Sequence, residues 1–285
     1  MAGSVIVVTG ANKGIGLNIV TRFAHAAAEA LAPPLPTVLL CARDAARGEA
    51  AVEQLRANGG DPASVVKFKQ LDISDEESRK RFVADVQEEF GKVDCLVNNA
   101  AIAFKGSDPT PFEEQTEPTL NVNFYSTCAF IDEMLPLLQA AAEAEDAKPR
   151  IVNVASMSGH LRILKSNELR DQFARDSLTR DELFGLMDRF RTEVADHTYK
   201  KSGFPSSNYG MSKLGVIAYS RVLARENPDI DVFSCCPGWC QTDMSSNSGY
   251  KTAYEGSQTP FMLGQGLLGS GASGGFFTDE HQAEW

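Results

Sequence analysis

Six short runs rich in Val, Ile and Leu, at residues 4–9, 37–41, 65–71, 94–97, 150–155 and 231–235, alternate with longer stretches of helical periodicity. Strands separated by helices pair through crossovers, so this rhythm predicts a parallel sheet covered by helices on both faces. Helices are expected over 16–32, 47–57, 74–91 and 117–145, and around residues 209–213. Ser74-Asp75-Glu76-Glu77 reads as an N-cap followed by acids in the first turn. Pro33, Pro34 and Pro36 cannot continue the first helix. The tail Gly274-Gly275-Phe276-Phe277-Thr278 adds an edge strand, which makes about seven. Between His160 and Ser206 the rhythm breaks into charged amphipathic stretches such as 181–198, with no strand pattern. At 285 residues the chain reads as one large α/β domain over 1–285, doubly wound, with a helical insertion at about 160–206.

A net charge of −11 argues against non-specific binding to nucleic acid or anionic membrane. An anionic cofactor must then be held by local donors. No stretch approaches the roughly 20 apolar residues of a membrane span. Met1-Ala2-Gly3-Ser4 carries no basic region and no cleavage signature, so no leader is expected. Cys41, Cys95, Cys128, Cys235, Cys236 and Cys240 lie mostly inside apolar runs, a pattern of buried thiols in a reducing compartment. Cytoplasm is the expected location. Cys235, Cys236 and Cys240 cluster without a nearby His, so no metal site is expected. His25, His160, His197 and His281 have no motif around them and read as surface or packing residues.

Thr9-Gly10-Ala11-Asn12-Lys13-Gly14-Ile15-Gly16 joins the first strand to the first helix. Backbone N–H groups in such a turn can cradle a pyrophosphate, although a tight turn without a ligand fits the same glycines. Sites of this kind that bind NAD place a carboxylate at the end of the second strand, on the ribose 2′-OH. Here Ala42 and Arg43 stand there, Asp44 comes one or two positions late, and Lys13 adds a second cation. Two cations and no well-placed acid suit a 2′-phosphate, hence NADPH/NADP+. Arg43 fits equally a solvated arginine leading a helix. Asp72, beside Ile73, is placed either to bond the adenine or to cap a turn, and Asn98-Asn99-Ala100 follows an apolar strand, where asparagines can bond backbone or ribose.

Tyr209 and Lys213 are four apart, so on a helix they share one face. A phenol of pKa near ~10 is a weak acid at neutral pH, and an adjacent ammonium is expected to lower that value. Ser156 ends the fifth strand at the carboxyl edge of the sheet, where open α/β folds bind ligands. A lone Ser there is more often a cap. With Tyr209 and Lys213 downstream, it reads as a hydroxyl that bonds a substrate carbonyl while Tyr209 delivers a proton.

These motifs, with Asn98-Asn99-Ala100 and Pro237-Gly238-x-x-x-Thr242, resemble the short-chain dehydrogenase/reductase superfamily and span residues 4–243 in order. More narrowly, Ala11-Asn12-Lys13-Gly14-Ile15-Gly16-Leu17, Ala42-Arg43-Asp44, Pro205-Ser206-Ser207-x-Tyr209-Gly210, Cys235-Cys236-Pro237-Gly238-Trp239 and the closing Trp285 are similar to the monomeric carbonyl reductases. The resemblance implies a Rossmann-type fold and hydride transfer from NADPH to a small-molecule carbonyl. It implies Tyr209 as general acid, Lys213 lowering its pKa and bonding the nicotinamide ribose, Ser156 polarising the carbonyl, and Asn123 holding a water in a proton relay. Asn98 and Thr242, with Pro237 and Gly238, would line the cofactor's nicotinamide side. Lys13 and Arg43 would select the 2′-phosphate, with Gly10, Asn12, Gly14, Ile15, Gly16, Asp72 and Ile73 completing the cofactor site.

Trp239, Met157 and Met244 form an expected apolar wall suited to quinones, aromatic aldehydes and ketones, with ordinary core packing the rival reading for the two methionines. Relatives bind glutathione beside the position of Phe104, which implies glutathione-conjugated carbonyls as substrates. They also carry a redox-sensitive thiol at Cys235 or Cys236. The 53-residue separation of Ser156 and Tyr209 exceeds the usual spacing, and in similar enzymes the added helices cover the oligomer surface, so a monomer is expected. Ala101 replaces a usual Gly, which would crowd the backbone if φ is positive there. The other readings are a reductase of a dedicated terpenoid, alkaloid or pterin ketone and a non-catalytic cofactor sensor, whose usual mark is loss of the tyrosine or lysine.

Overall fold

A computed structural model describes residues 3–30, 34–59, 65–144 and 148–285. Eight strands form one sheet: β1 (Val5–Val8), β2 (Thr37–Ala42), β3 (Val66–Gln70), β4 (Cys95–Asn98), β5 (Arg150–Val154), β6 (Asp231–Cys236), β7 (Phe276–Thr278) and β8 (His281–Ala283). Their order is β3-β2-β1-β4-β5-β6-β7-β8, parallel throughout except for the antiparallel β7–β8 pair. The order reverses between β1 and β4, which opens a crevice at the carboxyl ends of the strands. Strand residues alternate between two cores. Val5, Val7, Leu39 and Leu96 pack on one face, and Ile6, Val8, Val38, Leu40 and Val97 on the other. Burial on both faces explains why these strands read as unbroken apolar runs.

The helices are α1 (Gly14–Ala30), α2 (Ala45–Ala57), α3 (Glu76–Phe90), α4 (Phe112–Leu120), α5 (Ser126–Ala144), α6 (Asn167–Ala174), α7 (Arg180–Ala195), α8 (Asn208–Glu226), α9 (Ala253–Gly256) and α10 (Gln258–Gln265). Residues 31–33 and 145 lie outside the described residues, and with them the ends of the helices expected over 16–32 and 117–145. The latter helix starts earlier and is interrupted by a π-helical turn, Asn121–Tyr125, between α4 and α5. The N-cap of α3 is Asp75, whose carboxylate accepts from Glu77 N and Ser78 N, one residue later than the expected Ser74.

The eighth strand is the departure in the sheet. Asp279 and Glu280, at φ 49° and 62°, make the two-residue turn into it. Such turns are normally announced by Asn-Gly or Asp-Gly, and Asp-Glu carries no such signal. The insertion is helical as expected. Leu183, Met187, Phe190 and Val194 of α7 are buried, and α7 packs along α8 and α4. Polar contacts seal the junction: Tyr125 donates to Asp188 (2.6 Å), Tyr219 to Asp132 (2.7 Å), and Arg180 pairs with Asp132. No helix among the described residues is long and apolar enough to cross a membrane.

Candidate active site

The glycine turn between β1 and α1 is built against the end of β4. Thr9 Oγ1 accepts from the backbone N–H of Asn99 and Ala100, each at 3.0 Å, and Asn99 Nδ2 donates to the carbonyls of Thr9 and Gly10. Gly10 and Gly14 are left-handed, at φ 62° and 58°. A Cβ at Gly16 would stand 2.5 Å from both Asn99 Nδ2 and the Gly10 carbonyl, and one at Gly10 would stand 2.8 Å from Ala100 Cα. Side chains are therefore excluded at Gly10 and Gly16, where the turn is pressed against the end of β4 and its own backbone, and α1 opens without an acid in its first turn. An anionic pyrophosphate fits that donor set. Asn12 and Ile15 sit on the same turn, Ile15 packing against the second core. Ala101 is not among the residues of positive φ, so its methyl meets no left-handed strain.

At the end of β2, Arg43 is exposed and Asp44 caps α2 by accepting from Arg47 N (2.9 Å). The one acid near the strand end thus serves a helix. Lys13 is also exposed, and its ammonium pairs with Asp243 at 2.6 Å. Asp72 acts as the turn cap, its Oδ1 accepting from Ser74 N and Ser74 Oγ. Ile73 is buried, with its carbonyl accepting from Arg79 Nη1 at 2.8 Å.

Ser156, Tyr209 and Lys213 come together beyond the end of β5. Ser156 caps the short turn Met157–Gly159, with Oγ accepting from Ser158 N at 3.1 Å. Ser207 caps α8, which carries Tyr209 and Lys213 on one face. Lys213 is 4% exposed and donates from Nζ to the carbonyl of Val154, the last residue of β5, at 2.8 Å. That ammonium lies 5.6 Å from the centre of the Tyr209 ring. Burial lowers the Lys213 pKa to about 8, while the thiols of Cys235 and Cys236 pull it back up.

Tyr209 departs from expectation. Burial pushes its phenol up to about 12, Cys236 adds to the rise, and only the hydrogen bond with Ser156 opposes it. The expected acidification by Lys213 is absent because the ammonium is turned to the Val154 carbonyl and desolvation outweighs it. The phenol is consequently a protonated donor at neutral pH.

The side chains of two asparagines are engaged within the protein. Asn123, 1% exposed in the π-helical turn, accepts from Ile102 N (2.8 Å) and donates to Ile102 O (2.9 Å) and Ser212 Oγ (3.1 Å). Both amide hydrogens are thus engaged in holding the 102 loop against α8. Asn98 Nδ2 donates to Asn153 Oδ1, and Asn153 Nδ2 to Ser220 Oγ, both at 2.9 Å, a buried chain joining β4, β5 and α8. Asn99 bonds backbone, one of the two roles expected of the asparagines after the fourth strand, whereas motif reading did not assign Thr9, Asn153 or Ser212 to the site. A hydroxyl ending the first strand was the visible signal for Thr9, whereas the others act through contacts distant in sequence.

After β6, Pro237 and Gly238 (φ 86°) start a segment that folds back over the glycine turn. A Cβ on Gly14 would lie 3.5 Å from Thr242 Cγ2, and the Lys13–Asp243 pair spans the same approach. Trp239 and Met244 on this segment are exposed at 54% and 41%, with Trp239 Nε1 donating to the Ser248 carbonyl. Met157 and Phe104 are half-buried. Burial pushes up the thiol of Cys235, and that of Cys240 to about 11, so neither is poised as a thiolate.

A family model described as short chain dehydrogenase matches residues 4–166. Carbonyl reductase [NADPH] 1 of Macaca fascicularis is 40% identical over 290 residues, covering 99% of this chain and 98% of that protein. Among solved structures, salutaridine reductase from Papaver somniferum superposes with a TM-score of 0.82 at 28% identity, covering 97% of this chain and 99% of that one. Menthone neomenthol reductase from Mentha piperita gives 0.80 at 25% identity, covering 99% and 100%. A match over more than half the residues, and 40% identity along nearly all of them, lead to one conclusion: the chain belongs to the short-chain dehydrogenase family.

Proposed function

We propose that this chain, acting as one catalytic domain over 1–285, is an NADPH-dependent carbonyl reductase. One observation carries the reading: Ser156, Tyr209 and Lys213 meet at the carboxyl edge of β5, on the same edge of the parallel sheet as the glycine turn that follows β1. The name and near-full-length coverage of the macaque relative support it. NADPH, when bound, supplies the hydride. The turn's N–H groups would hold its pyrophosphate, and Lys13 and Arg43 its 2′-phosphate. Asp72, Ile73, Asn98, Pro237, Gly238 and Thr242 complete the cofactor contacts.

Ser156 donates to the carbonyl oxygen, and Tyr209 gives that oxygen its proton as negative charge develops there. The phenol is protonated at neutral pH, so its proton is available when an alkoxide, a stronger base, forms beside it. Lys213, held at the end of β5 by the Val154 carbonyl, would bond the nicotinamide ribose. Asn123 holds the relay water through its main chain, since its amide hydrogens grip Ile102 and Ser212. Trp239, Met244, Met157 and Phe104 form an apolar wall for quinones, aromatic aldehydes, ketones and glutathione-conjugated carbonyls.

The decisive experiment measures NADPH oxidation against quinones, ketones and glutathione adducts, with NADH as control. Turnover of a single alkaloid, terpenoid or pterin ketone would favour a dedicated reductase, in line with the names of the two plant neighbours. No turnover with any carbonyl would sink the reading. Arg43→Ala should raise the KM for NADPH about 10- to 100-fold, the worth of a charge-assisted hydrogen bond, and leave that for NADH unchanged.

The pH profile follows from Lys213. Its folded pKa is depressed to about 8, so the ammonium is present below that pH and lost above it. We expect kcat/KM for NADPH, a free-enzyme quantity, to be flat below about pH 8 and to fall above it. A plateau extending past pH 10 would show that Lys213 does not set the limb.

The α6–α7 insertion covers α8 and supports a monomer, which sizing chromatography tests directly. Six cysteines that form no disulfide suit a reducing compartment such as the cytoplasm.

A further inference from the structure

Trp285 lies far in sequence from the crevice, yet its indole Nε1 donates to the Gly159 carbonyl at 2.9 Å. Gly159 closes the Met157–Gly159 turn that Ser156 caps, and Gly159 N donates back to the Ser156 carbonyl at 2.8 Å. The turn has no slack on its other side. A Cβ at Gly159 would stand 2.6 Å from Leu214 N and from the carbonyl carbon of Lys213. A Cβ at Gly210 would stand 2.7 Å from the Ser158 carbonyl. The turn is thus pressed flat against the stretch of α8 that carries Tyr209 and Lys213.

Trp285 is anchored to the same helix. The Arg221 guanidinium sits 5.4 Å from its ring, and the ring packs against the larger core. Arg221 is two turns beyond Lys213 on α8. Helix, indole and turn therefore close a ring of contacts around Ser156.

We propose that Trp285 is a positioning residue for the catalytic turn: its indole N–H tethers Gly159 and so fixes Ser156 relative to Tyr209. Its role in turnover rests on the carbonyl reductase reading, whereas the tether itself does not. Without it the turn keeps only its contacts with α8, and the Ser156 hydroxyl samples positions that no longer match the oxygen Tyr209 protonates. Small displacements of a hydrogen-bond donor of this kind are costly in rate, because its stabilisation depends on aim.

The test uses the full chain and two variants. Trp285→Phe keeps an aromatic ring for Arg221 and removes the N–H with part of the indole's bulk, and Trp285→Ala removes the ring altogether. Amide hydrogen exchange at Ser158 and Gly159 should quicken about 3- to 10-fold in Trp285→Phe, the worth of one hydrogen bond, with β1 and α1 unchanged. Trp285→Ala should quicken it further. In turnover, kcat for a quinone should fall by a similar factor in Trp285→Phe while the KM for NADPH stays constant.

Unaltered exchange at the turn in Trp285→Phe overturns the tether, even if Trp285→Ala changes it. A rise in exchange spread over the whole sheet, with NADPH affinity lost in proportion, overturns it in favour of general stability. Exchange that quickens with kcat unmoved overturns the positioning role. If the wild type reduces no carbonyl, the reading of function fails, and the exchange measurement still decides the tether.

Discussion

Tyr209→Phe should abolish turnover and leave NADPH binding largely intact. Phenylalanine fills the space of the ring and deletes only the hydroxyl, so packing at the crevice is preserved. What disappears is the proton donor, and general acid catalysis is commonly worth about 10²–10⁴-fold. One of two proposed donors to the developing alkoxide goes with it, worth about 10²–10³-fold elsewhere. The two losses are the same hydroxyl counted in two ways, so they do not multiply. The glycine turn and Arg43 lie on other elements and keep their contacts. Steady-state rates with a quinone, together with fluorescence titration of NADPH, make the measurement. A variant that still turns over at a tenth of the wild-type rate would remove Tyr209 from its role.

Gly16→Ala should cost both cofactor binding and stability. The new Cβ would lie 2.5 Å from Asn99 Nδ2 and from the Gly10 carbonyl, and 2.9 Å from Ala11 Cα. Two of those three neighbours are backbone, so relief requires the turn itself to move. Asn99 cannot retreat without releasing the carbonyls of Thr9 and Gly10. Overpacking of this kind typically costs about 1–3 kcal/mol, and here the displaced atoms also shape the phosphate cradle. Thermal denaturation should show a lowered midpoint, and NADPH titration a weakened or absent complex. Arg43→Ala is the control, since it should weaken NADPH without touching the midpoint. Wild-type stability and affinity in Gly16→Ala would mean that the turn is not the cradle.

Much of this was legible because it is local. Parallel strands buried on both faces write themselves as apolar runs, and Val5–Val8 and Cys95–Asn98 were read within a residue or two. Tyr209 and Lys213 were legible because helix geometry alone puts residues four apart on one face. Three elements were not. β8 enters through Asp279-Glu280 in a left-handed turn, which no glycine marks. The π-helical turn at Asn121–Tyr125 has no compositional signature. The direction of the Tyr209 shift depends on how much protein surrounds the phenol and where Lys213 points, neither of which spacing reveals.

Sequence by itself determined the doubly wound sheet, the glycine turn and the acid-poor end of β2, since each follows from residue type and short-range geometry. Tertiary structure alone decided that Lys13 meets Asp243 across 230 positions, that Asn123 grips Ile102, and that Trp285 reaches Gly159 across 126. Those partners are chosen by which elements the shared core forces together, and no local periodicity records that choice.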